Sequence, residues 1–320
     1  MPKVLVTGGA GFIGSHVADL FLAKGFDVTV VDDLSTGKRD NVPGKARFHQ
    51  ISVSSAEFAR LVRDGRFDVI AHLAAQIDVR KSVADPVADA TINVLGTLTL
   101  MEALKESDVN ARVIFASTGG ALYGDFTTPP NVETYAKDPE SPYAIAKLSV
   151  EYYLAYYGRV HNKDAIAVRF GNVYGPRQDP HGEAGVVAIF CGRILDKRPL
   201  TIFGDGLQTR DYVYVGDVAR AVWLAATKPL AEKGRLDARA FNIGTGEGTS
   251  VLQVAKLLQA AARTVAPIEF APRRPGEQQE SSVDVKKARE VLGWVPEVGL
   301  ADGLAKTYAW FAAKANGVTV

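Results

Sequence analysis

The chain has 320 residues, of which 47% are hydrophobic and 23% are charged, and 37 basic residues against 36 acidic ones leave a formal charge of +1. This composition is typical of a globular protein and excludes a disordered chain, while the near-neutral balance gives no electrostatic surface for nucleic acid or an anionic membrane. The single cysteine, Cys191, excludes a disulfide framework and a cysteine-based zinc site and favours the reducing cytoplasm. The sequence shows no signal-peptide core and no apolar run near the roughly 18 residues of a membrane span, so we expect a cytoplasmic protein without a metal site.

Short apolar runs alternate with longer helical patterns through the first half of the chain. The predicted strands are Lys3–Thr7, Asp27–Asp32, Arg47–Ile51, Phe67–Leu73, Arg112–Ser117 and Ala165–Phe170. The predicted helices between them are Phe12–Lys24, Ser55–Asp64, Ala84–Lys105 and Tyr143–His161. Such alternation favours right-handed crossovers, so we predict an α/β fold with a Rossmann-type, doubly wound, mostly parallel sheet.

The rhythm becomes irregular in the second half. Predicted helices there are Val186–Leu195, Val251–Arg263 and Asp284–Leu292, and the strand Phe241–Gly244 is predicted to rejoin the sheet. We therefore predict a Rossmann domain over residues 1–175, with a returning segment near 211–245, and a smaller mixed α/β substrate-binding lobe over 176–320. That lobe should face the carboxyl ends of the strands, where open α/β sheets bind their ligands.

A glycine cluster follows the first strand directly and opens the first helix. Gly8 permits the tight turn, Gly11 lets a pyrophosphate approach the helix N-terminus, and Gly14 lets the helix pack close to the sheet. The spacing is Gly-x-x-Gly-x-x-Gly, and its strand–turn–helix context favours a dinucleotide over a plain glycine turn.

Asp32 ends the second predicted strand, at about the 20-residue offset expected of a ribose-binding acid. A carboxylate there accepts hydrogen bonds from both ribose hydroxyls and repels a 2′-phosphate. The pattern therefore predicts NAD as the cofactor, although Lys38 and Arg39 stand close enough to keep NADP open.

Tyr143 and Lys147 stand four residues apart at the start of a predicted helix, so their side chains share one face. A phenol with a pKa of about 10 is a poor base at neutral pH, and a nearby ammonium together with an oxidised nicotinamide would lower that pKa. Ser117 ends the predicted strand Arg112–Ser117 and Thr118 follows it directly, which places a hydroxyl at the same edge of the sheet. We predict Thr118, Tyr143 and Lys147 as the catalytic group, with Ser117 as the alternative hydroxyl.

These three features together resemble the extended short-chain dehydrogenase/reductase family. The resemblance covers almost the whole chain and includes His72-Leu73-Ala74-Ala75-Gln76, Arg169-Phe170-Gly171-Asn172-Val173-Tyr174-Gly175, Arg210-Asp211-Tyr212-Val213-Tyr214-Val215 and Arg274-Pro275-Gly276-Glu277. The later blocks are similar to the NAD-dependent nucleotide-sugar epimerases, in particular those that act at C4 of UDP-glucose and UDP-galactose. The resemblance implies epimerisation through a transient 4-keto sugar, and a homodimer built on the helices 84–105 and 143–161.

The resemblance also implies roles for individual residues. On the cofactor side it implies Gly8, Gly11, Phe12, Ile13, Gly14, Asp32, Asp33, Leu34, Ser52, Val53, Leu73, Ala74, Ala75, Gln76, Asn93, Ser117, Tyr143, Lys147 and Phe170. On the side of the UDP-sugar it implies Thr118, Tyr143, Asn172, Val187, Ile202, Phe203, Arg210, Arg274, Glu277 and Ser281. For Arg210, an ion pair with Asp211 is the alternative interpretation.

Two positions depart from the family pattern. Ser52 stands where many relatives carry an Asp that accepts a hydrogen bond from adenine, so the adenine contact here lacks a charge. Ser281 stands where some epimerases carry a bulky Tyr, and a small residue there would leave room for an N-acetylated sugar.

Other activities remain open at this point. A 4,6-dehydratase of this family carries Asp-Glu after its catalytic Thr, whereas this chain has Gly119 and Gly120, which have no side chain for proton transfer. A uronate epimerase and a decarboxylase of nucleotide-sugar acids fit the same motifs. A dinucleotide-sensing scaffold is a non-enzymatic alternative, but the presence of Tyr143 and Lys147 argues against it. Leu95, Leu98, Met101 and Leu104 form an apolar stripe that belongs either to a dimer interface or to the protein's own core.

Overall fold

The computed structural model describes residues 1–181, 185–230, 233–273 and 278–318. Its strands are β1 Lys3–Thr7, β2 Asp27–Val31, β3 Arg47–His49, β4 Val69–His72, β5 Arg112–Thr118, β6 Asp164–Phe170, β7 Asn172–Tyr174, β8 Leu200–Phe203, β9 Thr209–Arg210, β10 Tyr212–Tyr214, β11 Ala240–Ile243, β12 Thr249–Ser250 and β13 Ile268–Ala271. Its helices are α1 Phe12–Ala23, α2 Ala56–Gly65, α3 Val79–Ala84, α4 Pro86–Ala90, α5 Gly96–Lys105, α6 Pro142–His161, α7 Val186–Leu195, α8 Val215–Thr227, α9 Val251–Ala262 and α10 Leu300–Ala315. A 3₁₀ turn, Arg39–Asn41, and two π turns, Thr91–Leu95 and Ala288–Leu292, complete the elements.

Seven of the strands form one sheet in the order β11-β6-β5-β4-β1-β2-β3, and every pair in it is parallel. This confirms the predicted doubly wound sheet and the return of the strand near residue 241. The chain winds outward in one direction from β1 and in the other direction from β4. The carboxyl ends of β1 and β4 therefore flank the switch point at which sheets of this kind bind ligands.

Helices cover both faces of the sheet, which explains why its strands read as almost continuous apolar runs. α1 and α8 pack on one face, around Phe21 and Val222. α2, α5 and α6 pack on the other face, around Phe58, Leu100 and Leu154.

A third hydrophobic cluster lies in the second half of the chain and joins α7, β8, α9 and α10. Chain order and packing nevertheless diverge here, because residues 283–294, including the fully buried Trp294, pack with the α1–α8 face of the main sheet. Part of the predicted 176–320 segment thus belongs to the core of the Rossmann sheet.

The predicted helix 84–105 is confirmed as one continuous helix, but it begins two residues later, at Pro86, and contains the π turn Thr91–Leu95. Asp85 caps the N-terminus of α4 by accepting a hydrogen bond from the Ala88 amide, and Pro86 occupies the first turn, so α3 ends at Ala84. The continuous helix Pro86–Lys105 is long and apolar enough to cross a membrane by length and composition. It packs on α2 and α6, however, and buries the polar Asp89 and Asn93, as a core helix does.

Candidate active site

The glycine turn stands at the carboxyl end of β1, at the switch point. Gly8 has a φ of +69°, and a Cβ there would lie 2.7 Å from the Ala74 amide nitrogen. A Cβ on Gly14 would lie 2.1 Å from the Gly8 carbonyl oxygen, so both positions require glycine. Gly11 caps α1 without a side-chain hydrogen bond, which leaves the helix N-terminus open to an anion. This cradle fits the pyrophosphate of a dinucleotide.

Asp32 lies beside the same turn, and only 8% of it is exposed. Its carboxylate accepts hydrogen bonds from the backbone amides of Ala10 (3.0 Å) and Leu34 (2.9 Å), which fix it against the glycine turn. Burial raises the pKa of the Asp32 carboxyl, and those two hydrogen bonds oppose the rise. Leu34 has a φ of +60°, while Asp33 is exposed and accepts a hydrogen bond from the Ser35 amide.

The segment from Leu73 to Gln76 leaves β4 and passes over the glycine turn. The Thr7 hydroxyl accepts hydrogen bonds from the amides of Leu73 and Ala74. The Asn93 side chain then brackets Gln76, since its Oδ1 accepts from the Gln76 amide and its Nδ2 donates to the Gln76 carbonyl, both at 3.0 Å. Three of the four predicted cleft residues, Leu73, Ala74 and Gln76, are thus held by the side chains of Thr7 and Asn93.

The other predicted cofactor residues have mixed placements. Phe12 and Ile13 are half-buried at the start of α1, beside the glycine turn. Ser52 accepts a hydrogen bond from the Ser54 amide, and Val53 is 6% exposed in the core cluster of the α2 face. The Val53 side chain therefore contributes to the core rather than to the cleft. Phe170 is 6% exposed and ends β6. Its carbonyl oxygen accepts a hydrogen bond from the Gly119 amide at 2.7 Å.

Tyr143 and Lys147 lie in the first two turns of α6. Ser141 caps this helix, Pro142 occupies its first turn, and the Tyr143 amide donates to the Ser82 hydroxyl at 3.2 Å. Lys147 is only 3% exposed; its ammonium donates to the Ala116 carbonyl at 2.9 Å and lies 5.7 Å from the centre of the Tyr143 ring. The helix thus presents both groups at the carboxyl end of β5.

The prediction that Lys147 and an oxidised nicotinamide together lower the pKa of Tyr143 concerns the cofactor-bound protein, whereas in the protein by itself that pKa is raised. Burial raises the pKa of the Tyr143 phenol, and the Asp89 carboxylate raises it further. Burial also lowers the pKa of Lys147 to about 8, against the opposing effects of Asp89 and Glu151. The ammonium is committed to the Ala116 carbonyl, so activation of the phenol requires a further positive charge, which an oxidised nicotinamide would supply.

The structure separates the two candidate hydroxyls of β5. Ser117 is 4% exposed and donates a hydrogen bond to the buried Glu151 carboxylate at 2.5 Å, so its predicted role as a cofactor-binding side chain or alternative catalytic hydroxyl would require that bond to be exchanged for one to a ligand. Thr118, 9% exposed, makes no side-chain hydrogen bond within the residues that the structure describes. Its hydroxyl is therefore available to a ligand.

Ser281 lies next to the turn that follows Thr118. A Cβ on Gly120 would be 3.7 Å from the Asn172 Oδ1 and 3.8 Å from the Ser281 hydroxyl oxygen. Asn172 and Ser281 therefore both lie beside Gly120 in the turn after Thr118.

A cleft of about 230 Å³ opens between β7, α7 and β9. Asn172, Val187 and Arg210, three of the residues predicted to bind the nucleotide sugar, line this cleft. Asp211 does not pair with Arg210: its buried carboxylate accepts from the Thr245 amide and hydroxyl, among others. Of the remaining predicted substrate residues, Ile202 is 1% exposed in the core of the smaller lobe, Phe203 lies on the same strand, and Arg274 and Glu277 lie outside the described residues.

Several residues of this region were missed at the sequence level. The same cleft is lined by Tyr174, Gln178 and Gln208. The His72 ring bridges the hydroxyls of Thr7 and Thr97, and burial lowers its pKa to about 3, which keeps it neutral. Polar residues within apolar strand ends were the available signal for His72. No local pattern marks a glutamine that tertiary contacts bring to a cleft.

The comparisons with known proteins agree with this geometry. The family model of the NAD dependent epimerase/dehydratase family matches residues 4–244. The chain is 43% identical to the UDP-glucose 4-epimerase of Mycolicibacterium smegmatis, over 98% of this chain and all of that one. The crystal structure of the Thermotoga maritima UDP-glucose 4-epimerase with UDP-glucose is 45% identical, with a TM-score of 0.92 and coverage of 98% of this chain and 99% of that one. The Thermus thermophilus UDP-glucose 4-epimerase in complex with NAD is 44% identical, with a TM-score of 0.89 and coverage of 97% and 99%. The chain belongs to the NAD-dependent epimerase/dehydratase family.

Proposed function

We propose that this protein interconverts UDP-glucose and UDP-galactose by inverting C4 of the sugar with NAD as a resident cofactor. One observation carries the proposal. The carboxyl end of β5, with the free Thr118 hydroxyl, and the N-terminus of α6, with Tyr143 and Lys147, lie beside the cradle of Gly8 and Asp32. The resemblance to UDP-glucose 4-epimerases over the whole chain supports the choice of substrate.

The chain's own residues divide the chemistry among them. Tyr143 takes the proton of the 4-hydroxyl while C4 loses its hydride, and it returns the proton after the 4-keto sugar has turned over. Thr118 donates a hydrogen bond to the same oxygen, and Lys147 holds a positive charge beside the phenol. The cradle of Gly8 and Asp32 would hold NAD, which would supply the hydride acceptor for C4 and the hydride donor for its opposite face. Arg210 and Asn172 hold the nucleotide diphosphate while the sugar turns.

The geometry after Thr118 argues against the 4,6-dehydratase alternative. A Cβ on Gly119 would lie 2.8 Å from the Val283 side chain and 3.1 Å from the Arg169 carbonyl oxygen. A carboxylate that must remove water across C5 and C6 has no room at that position. Uronate epimerases and nucleotide-sugar decarboxylases share the Tyr143–Lys147 machinery and are separated from this proposal by the substrate alone.

The test is turnover of UDP-glucose by the purified protein with and without added NAD. Formation of UDP-galactose supports the proposal, and its formation without added NAD indicates a retained cofactor. No product with NAD supplied, together with turnover of UDP-glucuronate, would contradict the proposed substrate. Tyr143→Phe is the control for a contaminating epimerase.

Within this function we propose that N-acetylated sugars are also accepted. Ser281 is the small residue next to Asn172 at the sugar end, and 3% of it is exposed. Ser281→Tyr should then reduce kcat/KM for UDP-N-acetylglucosamine and leave that for UDP-glucose close to wild type. Equal effects on both substrates would contradict the assignment, and Ser282→Thr is the matched control for a change in this segment.

We further propose a homodimer that operates in the cytoplasm. Leu98, Met101 and Leu104 of the helix stripe pack in the protein's own core, whereas Leu95 of the same stripe is 53% exposed. Aromatic side chains are also exposed on α6, with Tyr152 at 57% and Tyr153 at 41% exposure. A monomeric mass by light scattering at micromolar concentration would contradict the dimer.

A further inference from the structure

Asp89 is a buried carboxylate next to the candidate catalytic pair, and the sequence patterns gave it no role. It lies in α4, and only 1% of its surface is exposed. Its Oδ1 accepts hydrogen bonds from Gln76 Nε2 and Asn93 Nδ2, both at 2.9 Å. Its Oδ2 is buried and has no hydrogen-bond partner among the residues that the structure describes. A buried carboxylate oxygen without a partner is costly, so its retention needs a reason.

The first reason is the arrangement of the cofactor cleft. Asn93 holds Gln76 from both sides through its backbone, and Asp89 orients the Asn93 amide that makes those bonds. Asp89 also receives the Gln76 side chain directly. One carboxylate therefore fixes both side chains that shape the cleft after β4.

The second reason is charge. Four titratable groups face the Tyr143–Lys147 pair or its partners from the surrounding elements: Asp89 of α4, Glu151 of α6, His72 of β4 and, behind Glu151, Arg169 of β6. His72 is neutral, and Glu151 is paired with Arg169 at 2.6 Å. Asp89 makes no ion pair within the described residues, so it is the uncompensated anion next to the pair.

We propose that Asp89 is a positioning residue for the reaction, which fixes Gln76 and Asn93 in the cofactor cleft and places a negative charge near the Tyr143–Lys147 pair. The inference rests on the proposed epimerase activity for its kinetic consequences. Without that charge, a lysine that is 3% exposed would tend to lose its proton near neutral pH. The cost is that the same charge makes the Tyr143 phenol harder to ionise.

The charge role has a consequence of definite sign. Removing a negative charge lowers the pKa of every neighbouring group, so both the Tyr143 limb and the Lys147 limb of a bell-shaped rate profile move to lower pH. A residue that only holds Gln76 and Asn93 in place would lower the rate at all pH values and leave the limbs where they are. The pH profile therefore separates the two roles.

The experiment compares NAD-loaded wild type with Asp89→Asn, which keeps the size and the acceptor for Gln76 and Asn93. The measurement is kcat for UDP-glucose across the pH range. We expect the ratio of kcat on the acid limb to kcat on the basic limb to rise by roughly threefold or more. An unmoved profile overturns the charge role. Asp85→Asn, on the same helix and still able to cap it, is the matched control and should leave the profile in place.

A second measurement does not depend on turnover. The ionisation of Tyr143 is isolated, in the NAD-loaded proteins, as the difference in tyrosinate absorbance between each protein and its Tyr143→Phe derivative. It should occur at lower pH in Asp89→Asn, and an equal midpoint overturns the inference even if the protein lacks epimerase activity. If Asp89→Asn does not fold, Asp89→Ser and Asp89→Glu replace it. The midpoint of the Tyr143 ionisation must then move to lower pH in Asp89→Ser and stay at the wild-type value in Asp89→Glu.

Discussion

The cofactor side and the nucleotide-sugar side of the cleft are built in different ways. On the cofactor side, the residues stand at neighbouring strand ends of one parallel sheet and bond one another, as Thr7 does with Ala74 and Asn93 with Gln76. On the other side, Asn172, Val187 and Arg210 come from separate elements that meet through the packing of the smaller lobe. The first half can be inferred from local sequence, whereas the second depends on tertiary structure. Substitutions on the two sides should also have different kinetic effects: those on the cofactor side should lower kcat, and those on the nucleotide-sugar side should raise KM.

The largest expected effect is on the cofactor side. Tyr143→Phe removes the proton acceptor without changing the ring, so kcat should fall by about 10²–10⁴-fold while NAD stays bound. The measurement is steady-state turnover of UDP-glucose together with the NAD content of the purified protein. A kcat within a few-fold of wild type would show that another group carries the proton and would break the comparison at its centre.

The two hydroxyls of β5 give the next test. Thr118→Val removes the hydroxyl that is free in the cleft and should lower kcat by roughly 100-fold. Ser117→Ala removes a hydroxyl that is bound to Glu151, so it should leave kcat close to wild type and cost about 1 kcal/mol of unfolding free energy. Urea unfolding and kinetics on both variants check this pair. The reverse result would return Ser117 to the catalytic role.

On the nucleotide-sugar side, Arg210→Ala should raise the KM for UDP-glucose by about 10–100-fold, which is the worth of a charge-assisted hydrogen bond to a diphosphate. NAD content should not change, because the Arg210 side chain lies in the smaller-lobe cleft. Arg193→Ala is the matched control, since that guanidinium is bound to Thr201 and the Pro199 carbonyl. A loss in kcat at unchanged KM would contradict the division between the two sides.

Local sequence predicted most of the sheet and the cofactor side for a physical reason. A strand buried on both faces must be apolar throughout, and a turn such as Gly8 to Gly14 tolerates little but glycine, so both leave a mark in the sequence. α8 and α10 were not predicted, although they form continuous helices over Val215–Thr227 and Leu300–Ala315. Their apolar faces pack against segments that are distant in the sequence, and local sequence patterns do not reveal such contacts.

The candidate site shows the same limit at the level of single side chains. Ser117 and Thr118 are adjacent and chemically similar, and only the position of Glu151 in α6 decides which of them is free. Asp89 is one acidic residue in a helix, and its burial next to Gln76 becomes visible only when α4 packs on α6. Sequence patterns therefore locate the strand ends, while tertiary packing decides which hydroxyl is free and which carboxylate is buried beside the site.

The smallest expected effect is the pH dependence of kcat/KM, which depends on the ammonium of Lys147 on the cofactor side. Burial lowers the pKa of Lys147 to about 8, so the ammonium is present below that pH and is lost above it. kcat/KM should therefore decline above about pH 8, by about tenfold per unit once the limb is established.

The unfolded chain binds the same proton up to the ordinary lysine pKa of about 10.4, so Lys147 should make stability rise with pH between these two values. A kcat/KM that stays constant to the ordinary pKa would show that the lysine keeps its proton in spite of burial, and Lys147→Met should abolish the pH-dependent gain in stability.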